Sequence, residues 1–417
     1  MLNNYICALD IGSNKISASV VQLKKNEILN LFFESTASKG VKKGSVTDSI
    51  ELIACVGKVL KNLKAKSGIN IKLVYVNISG EDITTKHSRA IIPLAERGNK
   101  VITLSDIQKC NEQARILGSS LEDEIIQQVP YSYSIDSKSG ILQPLGLYSH
   151  RLEVDLYLVC AKLSSVQNIT RVINQAGFEM RNMYFSGLAT SKAIFDKSMP
   201  QGISVVCDIG SDITEILIFK DGVLRSIEIL PQGGNDLALE ISGALKIPFE
   251  LAEDVKKSHS IIGDYSQIQD DKEILIKKDN LYRPIKQKLV AEILTAKANS
   301  ICQNIKDSIE GKVRCSEISN FYTVGRTILT DGFLETLESV VGIPVKIGRI
   351  GNSTISSWVN KEEGLAGQKY LVYITSLGMI CQALEEERFG FSFSKLPTRN
   401  IFKNAITRAK EVYQEYF

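Results

Sequence analysis

One stretch near the start of the chain constrains the fold more than any other. Residues 6–21 form an apolar run that ends in Asp10, a Gly-Ser-Asn-Lys turn and a second strand-like run. Such a β-hairpin would present backbone N–H groups, a hydroxyl and the Lys15 ammonium on one side, which suits phosphate oxygens. Asp10 would repel phosphate unless a cation stood between them, so the stretch suggests a metal–nucleotide complex. Taken alone, such a stretch is more often a surface hairpin with a polar turn.

The same pattern occurs again in the second half of the chain. Residues 206–211 repeat the Asp-Ile-Gly-Ser turn of residues 8–13 at an offset of 198 residues, close to half of the 417 residues. Another strand-like run follows the second turn, as it follows the first. Two matching turns, at Asp10 and Asp208, suggest a duplicated domain whose halves close on one ligand.

The composition argues against several classes of protein. The net charge of +3 gives no reason to expect nucleic acid as a partner. The eight cysteines have no Cys-x-x-Cys spacing and several lie in apolar runs, which indicates buried free thiols in a reducing cytoplasm. The first residues do not look like a signal peptide, and no stretch approaches the roughly 18 apolar residues of a spanning helix. We therefore expect a cytoplasmic protein with more than one domain.

Other common chemistries find little support in the sequence. The three histidines, His87, His150 and His259, are isolated from one another and from other metal ligands. Neither G-x-x-x-x-G-K-[ST] nor G-x-G-x-x-G occurs, and no Ser/His/Asp or Cys/His arrangement is visible.

Changes in the hydrophobic pattern divide the chain into parts. One helix among several half-buried strands after Asp82 indicates an inserted α+β unit, and a Pro-Gln-Gly segment at Pro200 precedes the second half. Pro284 is expected at the first position of a long helix that ends near Ile309. The predicted parts are a first domain at 1–81 and 163–200 with a return at 355–384, the inserted unit at 82–162, a second domain at 201–232 and 310–354, its helical and strand subdomain at 233–309, a linker at 385–397 and an amphipathic helix at 398–417.

The last twenty residues separate apolar from polar side chains on a helical wheel. At about 100° per residue, the apolar ones fall in one arc of roughly 160°. The predicted membrane-facing residues are Ile401, Phe402, Ile406, Val412, Tyr413 and Phe417. Arg399, Lys403, Arg408 and Lys410 could each add about 1 kcal/mol of attraction to anionic lipid. From the pattern alone, a terminal helix docked on its own domain is an equal interpretation.

Together these features resemble the actin/Hsp70/sugar-kinase superfamily and, more narrowly, the family of the bacterial cell-division protein FtsA. The resemblance rests on the two Asp-x-Gly turns and on residues 40–48, 230–234 and 252–256. The unit at 82–162 stands where that family has its characteristic inserted subdomain. The resemblance implies an α/β, actin-like two-domain ATPase fold of duplicated RNase H-like halves, with this α+β insertion in the first half and a C-terminal amphipathic helix.

The resemblance also implies ATP and Mg²⁺ as cofactors and assigns site residues position by position. Lys15 would neutralise the β- and γ-phosphates, and Asp10 and Asp208 would hold the Mg²⁺ through water. The implied cofactor-binding residues are Asp10, Gly12, Ser13, Lys15, Asp208, Gly210, Ser211, Gly233, Gly234, Glu253, Lys256 and Gly325. Taken alone, Glu253 and Lys256 would be interpreted as a solvated helix face. Because Ser211 and Asp212 replace glycines of the family's second loop, we expect nucleotide binding with weak hydrolysis at most, and no catalytic base is assigned.

The implied function is a membrane tether and filament-forming adaptor of the division ring on the inner face of the cell membrane. Its implied partners are the C-terminal tail of FtsZ, further copies of the chain, other division proteins and the membrane surface. Two alternatives remain open. A small-molecule kinase or phosphotransferase of the same superfold would need a substrate-facing aspartate as base. A pilus-assembly actin homologue would share the plan, but the terminal amphipathic helix argues against it.

Overall fold

The computed structural model describes residues 4–24, 27–95, 98–136, 138–196, 199–278 and 281–389. The predicted amphipathic helix at 398–417, with its six membrane-facing residues, lies outside the described residues, as does the predicted linker from residue 390 onward. In the part that is described, no helix is long and apolar enough to cross a membrane.

The first half opens with a three-stranded antiparallel meander and a capped helix. Its first elements are β1 (Tyr5–Ile11), β2 (Lys15–Lys24), β3 (Glu27–Ala37), β4 (Val41–Lys42), β5 (Ser45–Val46), α1 (Ser49–Ser67) and β6 (Leu73–Ile78). The side chain of Asp48 accepts hydrogen bonds from the backbone N–H groups of Ile50 and Glu51, which starts α1. Gly68, with φ of 71°, ends it in the left-handed conformation.

The inserted unit follows and has a hydrophobic core of its own. It consists of β7 (Ile83–Pro93), β8 (Lys100–Val101), α2 (Leu104–Leu117), β9 (Asp123–Ile135), β10 (Lys138–Ile141), β11 (Tyr148–Ser149) and β12 (Arg151–Lys162). Four strands form a sheet in the order β10-β9-β12-β7, and α2 packs on β7 and β12. A capping box between Thr103 and Asp106 starts α2. Twelve buried residues of this unit form a separate cluster, whereas Ile83, Ile126, Tyr157, Val159 and Ala161 belong to the main core.

The chain then completes the first sheet. The elements are α3 (Leu163–Gln175), β13 (Glu179–Phe185) and α4 (Ser186–Ile194). β13 pairs in parallel with β6, and β6 pairs in parallel with β1, so the sheet order is β13-β6-β1-β2-β3. The parallel pairings place the carboxyl ends of β1, β6 and β13 at one edge of the sheet.

The second half repeats this arrangement. Its elements are β14 (Ile203–Ile209), β15 (Thr214–Lys220), β16 (Val223–Leu230), α5 (Gly234–Leu245), α6 (Phe249–His259), β17 (Glu273–Lys278), β18 (Leu281–Lys286), α7 (Gln287–Glu310), β19 (Ile318–Val324), α8 (Phe333–Val341) and β20 (Val345–Ile347). The sheet order is β16-β15-β14-β19-β20, again an antiparallel meander followed by two parallel strands. The predicted duplication of an α/β half is therefore confirmed.

The predicted helix start at Pro284 is wrong. Pro284 lies in β18, opposite Leu275 of β17, and α7 begins at Gln287. Proline has no N–H to donate, so it tolerates the first turn of a helix and also an unpaired edge of a strand. Both strands of a two-stranded sheet have such an edge, and Pro284 lies in strand β18 rather than at the start of a helix.

The chain returns to the first half at its end. After the short helix α9 (Ser356–Val359), α10 (Ile374–Phe389) packs on α4 and against β1. A side chain at Gly378 would collide with the carbonyl oxygen of Ala189, so glycine allows the two helices this close approach. The buried apolar residues of both halves, with part of the inserted unit, form one continuous core.

Candidate functional site

A cavity of about 340 Å³ lies between the two halves. Eleven of the twelve predicted cofactor-binding residues line it: Asp10, Gly12, Ser13, Lys15, Asp208, Gly210, Ser211, Gly234, Glu253, Lys256 and Gly325. Gly233 lies directly behind the lining, where a Cβ atom would come within 2.5 Å of the carbonyl oxygen of Gly210. The structure thus brings residues from both halves to one cavity. Their role in binding a cofactor stays a prediction.

The first wall of the cavity is the turn between β1 and β2. The Gly12 N–H donates to the carbonyl oxygen of Lys15 at 3.0 Å, which closes the turn tightly. A Cβ atom on Gly12 would also lie 3.0 Å from that oxygen, so a larger residue would crowd the turn. The Lys15 ammonium donates to Asp10 at 3.0 Å, to the Ser17 hydroxyl at 3.2 Å and to the carbonyl oxygen of Val372. A cation is therefore held at this wall.

Asp10 is fixed by Asn77, a residue that the sequence reasoning missed. The Asn77 side chain donates to the Asp10 Oδ1 at 2.9 Å and accepts the Ile11 N–H at 2.6 Å. Because β6 pairs in parallel with β1, Asn77 reaches this position from the neighbouring strand. Asp10 is buried, with 6% of its surface exposed, so these bonds decide where its carboxylate points.

The second wall is the turn between β14 and β15, and its hydrogen bonding matches the first. The Gly210 N–H donates to the carbonyl oxygen of Ile213 at 2.9 Å, the same closure that Gly12 makes. The N–H groups of Gly234 and Asn235 donate to the carbonyl oxygens of Gly210 and Ser211 at 3.0 and 2.7 Å. The turn is therefore held against the N-terminus of α5.

Two carboxyl groups, the half-buried Asp208 and the buried Glu215, lie on this second wall. Burial, with the neighbouring charge of Asp10, raises the pKa of Asp208 to about 6. Burial, with the neighbouring charge of Asp208, raises the pKa of Glu215 to about 8. The Glu215 carboxyl accepts a hydrogen bond from the hydroxyl of Ser79 in the first half. Sequence reasoning did not single out Glu215, although a glutamate in the apolar strand after the second turn was a usable signal.

Gly325, after β19, must be a glycine. Its φ of +90° is a conformation that side chains rarely adopt. A Cβ atom there would lie 2.8 Å from the Asp208 Oδ1 and would collide with the carbonyl oxygen of Ile209. The backbone at Gly325 can therefore approach β14 only without a side chain.

At the far end of the cavity, α6 contributes a buried ion pair. The Lys256 ammonium lies 2.6 Å from Glu253 and donates to the carbonyl oxygen of Gly234 at 2.8 Å. Both side chains are about one-tenth exposed, so the solvated helix face that their sequence alone suggests is wrong. Burial lowers the pKa of Lys256, while Glu253 opposes that shift. Lys257 adds a second cation 3.3 Å from Glu253.

The arrangement fits a nucleotide whose phosphates lie between the two turns. One glycine turn from each half lines the cavity, and the Lys15 ammonium lines it with them. The described residues contain no cluster of three or more metal ligands. Two opposed carboxylates, Asp10 and Asp208, suit Mg²⁺ because this ion keeps several waters and takes further oxygens from phosphate.

Comparison with protein families gives two matches along the chain. The model of "Cell division protein FtsA" matches residues 205–375, and that of "SHS2 domain inserted in FTSA" matches residues 80–160. Together the matched segments cover more than half of the chain. The second match falls on the inserted unit described above.

Similar curated proteins carry the same name. The cell division protein FtsA of Buchnera aphidicola is 26% identical over 82% of this chain and 83% of its own length. The FtsA of Borreliella burgdorferi is 25% identical over 89% of this chain and 92% of its own, and that of Escherichia coli is 24% identical over 78% of each.

Solved structures with a similar fold belong to the actin-like superfamily. The PilM–PilN type IV pilus biogenesis complex aligns with a TM-score of 0.58 and 14% identity, over 90% of this chain and 98% of that chain. MreB5 of Spiroplasma citri bound to ADP aligns with a TM-score of 0.52 and 11% identity, over 93% and 99%. These likenesses show the fold alone, so the first does not favour the pilus-assembly alternative. The two family matches and the FtsA relatives show that the chain belongs to the FtsA family of cell-division proteins.

Proposed function

We propose that this protein binds ATP with Mg²⁺ in the cleft between its halves and uses the nucleotide to set their closure. The observation that carries the proposal is the pair of turns at Gly12 and Gly210. They have the same internal hydrogen bond and line one cavity from opposite sides. A ligand that contacts both turns stabilises the closed arrangement relative to any arrangement in which they separate.

Each wall has a defined part in this proposal. The Lys15 ammonium and the N–H groups of the two turns bind phosphate oxygens. Asp10 and Asp208 hold the metal ion through water, and the ion supplies positive charge between carboxylate and phosphate. Glu253 and Lys256 bind the nucleoside end. No residue is assigned as a catalytic base, so the proposed action is a nucleotide-dependent switch rather than rapid turnover.

We also propose that the protein is a filament-forming adaptor that tethers the FtsZ ring to the inner face of the cell membrane. The similar proteins are named cell division protein FtsA. One solved structure with a similar fold, at a TM-score of 0.51, is titled "MamK double helical filament". The apolar arc of residues 398–417 is the proposed contact with the membrane surface. The C-terminal tail of FtsZ, other division proteins and further copies of this chain are the proposed partners.

Binding of a fluorescent ATP analogue with Mg²⁺ to the full-length protein tests the cleft. We expect Lys15→Ala to weaken binding about tenfold or more, because it removes the ammonium at the first wall. Lys58→Ala is the matched control, since Lys58 is exposed on α1 of the same half. A wild-type protein that binds no nucleotide, or equal affinities in all three proteins, would contradict the proposal.

Co-sedimentation with anionic liposomes tests the membrane contact. We expect Phe402→Glu to lower the bound fraction several-fold, because it places a charge on the apolar arc. Gln414→Glu introduces the same charge on the polar arc and should bind nearly as the parent does. Equal sedimentation of the Phe402→Glu variant and the parent would refute the membrane role of this segment.

A further inference from the structure

A direct contact joins the two halves at the phosphate end of the cleft. Asp212, in the second turn, is buried, with 8% of its surface exposed. Its Oδ2 accepts the backbone N–H of Lys43, in the first half, at 3.1 Å. Its Oδ1 accepts the side-chain N–H of Asn235 at 2.7 Å. Both oxygens of this carboxylate are therefore engaged, one of them across the cleft.

The surface that Asp212 contacts is a tight, closely packed turn of the first half. Lys43 and Gly44 have φ values of 49° and 78°, which form a tight left-handed turn between β4 and β5. A Cβ atom on Gly44 would lie 2.7 Å from the Cα of Gly80 and would collide with the carbonyl oxygen of Ser79. The turn is thus pressed against residues 79–80. Glu215 of the second half accepts the Ser79 hydroxyl, so two acidic side chains bind one small surface.

Negative charge dominates this end of the cavity. Asp10, Asp208 and Asp212 line it, and the ammonium of Lys15 already lies 3.0 Å from Asp10. The other lining cations are Lys256, Lys257 and Arg326, and the two lysines pair with Glu253 on α6. A phosphate placed between the turns therefore meets the charge of Asp212 at close range, and a low-dielectric cleft strengthens that repulsion.

We propose that Asp212 is the residue by which the cleft distinguishes a nucleoside triphosphate from a nucleoside diphosphate. A diphosphate leaves the contact between Asp212 and Lys43 in place. The terminal phosphate of a triphosphate competes with the Asp212 carboxylate for the backbone N–H of Lys43, so its binding requires that carboxylate to turn away. The contact between Asp212 and Lys43 is then released, so the closure of the cleft depends on the number of phosphates in the bound nucleotide. This inference rests on the proposed nucleotide site.

Binding constants for ADP and for AMPPNP, each with Mg²⁺, test the discrimination in the full-length protein. Asp212→Asn removes the charge and retains one oxygen acceptor. We expect it to improve AMPPNP affinity relative to ADP affinity about tenfold. Asp254→Asn, an exposed position on α6 outside the cavity lining, removes the same charge and should leave the ratio unchanged. An unchanged ratio in Asp212→Asn, with both nucleotides bound, overturns the inference and leaves the nucleotide site standing.

Amide hydrogen exchange without nucleotide tests the contact itself. In Asp212→Ala the N–H of Lys43 loses its acceptor, so we expect its exchange to be about tenfold faster or more. In Asp212→Asn the remaining oxygen should keep most of the protection. Far-ultraviolet circular dichroism checks that both variants are folded. Unchanged exchange at Lys43 in the alanine variant overturns the contact, whereas failure of the wild type to bind either nucleotide overturns the site and the inference together.

Discussion

Replacing Glu215 by glutamine should flatten the dependence of stability on pH in the absence of nucleotide and metal. The carboxyl is buried on the second wall, and its pKa is raised from 4.5 to about 8. Glutamine keeps an oxygen that can accept the Ser79 hydroxyl, so the hydrogen bond between the halves is retained. The substitution therefore removes the titration and leaves most of the local geometry.

The sign of the effect follows from proton linkage. Below pH 4.5 the carboxyl is protonated in both the folded and the unfolded chain, and its burial then carries no charge penalty. Between pH 4.5 and about 8 the unfolded chain has lost the proton while the folded protein retains it. The unfolded state binds fewer protons there, so the free energy of unfolding falls as pH rises.

The contribution of Glu215 to the pH dependence of stability can be separated from that of Asp208, whose pKa is also raised. The pKa of Asp208 is raised to about 6, so above that pH its contribution is nearly constant. One proton corresponds to about 1.4 kcal/mol per pH unit. From pH 6.5 to 8.0, Glu215 should therefore lower the free energy of unfolding by about 1–2 kcal/mol.

Urea unfolding at pH 6.5 and pH 8.0, followed by circular dichroism with nucleotide and Mg²⁺ removed, measures this difference. The wild-type protein should lose about 1–2 kcal/mol between the two conditions, and Glu215→Gln should lose much less. Glu292→Gln is the control, because Glu292 is exposed on α7. An equal loss in wild type and Glu215→Gln would refute the assignment of this titration to Glu215.

Three further predictions follow from the packing. Gly325→Ala should destabilise the fold by about 2–3 kcal/mol, because Gly325 has a left-handed φ and a crowded Cβ position. Gly342→Ala, where the Cβ position is open, should cost about 1 kcal/mol. Urea unfolding measures both changes in the free energy of unfolding. Among the eight free cysteines only Cys55 is not buried, so a thiol reagent should label one site rapidly in the native protein and the others on unfolding. Arg225 lies over the ring of Tyr131 at 4.2 Å, and Arg225→Met should weaken the contact between β16 and the inserted unit by about 1 kcal/mol, seen as faster proteolysis of that unit.

The duplicated turns were predictable because their information is local. An apolar run, an aspartate and a glycine turn within a few residues predict strand, turn and strand, and the observed β1–β2 and β14–β15 hairpins confirm those elements. The start of α7 was not predictable, since proline is compatible with both a helix start and an edge strand. The burial of Glu253 and Lys256 depends on the packing of α6 against α5, which no local sequence pattern predicts.

The contacts between the halves are the part of the site that the sequence could not predict. Asp212 binds a backbone N–H that is 169 residues away, and Glu215 binds a hydroxyl that is 136 residues away. From the sequence, Asp212 is a charge that disturbs a phosphate loop. In the structure its charge is stabilised by two hydrogen-bond donors, so the same residue holds the loop in place. The sequence shows the acidic side chain of Asp212, but it does not show the hydrogen-bond donors that determine its effect.

The geometry also connects the cleft to the inserted unit. Glu215 lies on β15, which pairs with β16, and the β16 edge contacts the inserted unit. There the Ile227 N–H donates to the Tyr157 hydroxyl at 3.3 Å, next to the contact between Arg225 and Tyr131. Strands of one hydrogen-bonded sheet move together, so a displacement that separates Glu215 from Ser79 also moves the β16 edge relative to the inserted unit. The closure of the cleft and the position of the inserted unit are therefore not independent.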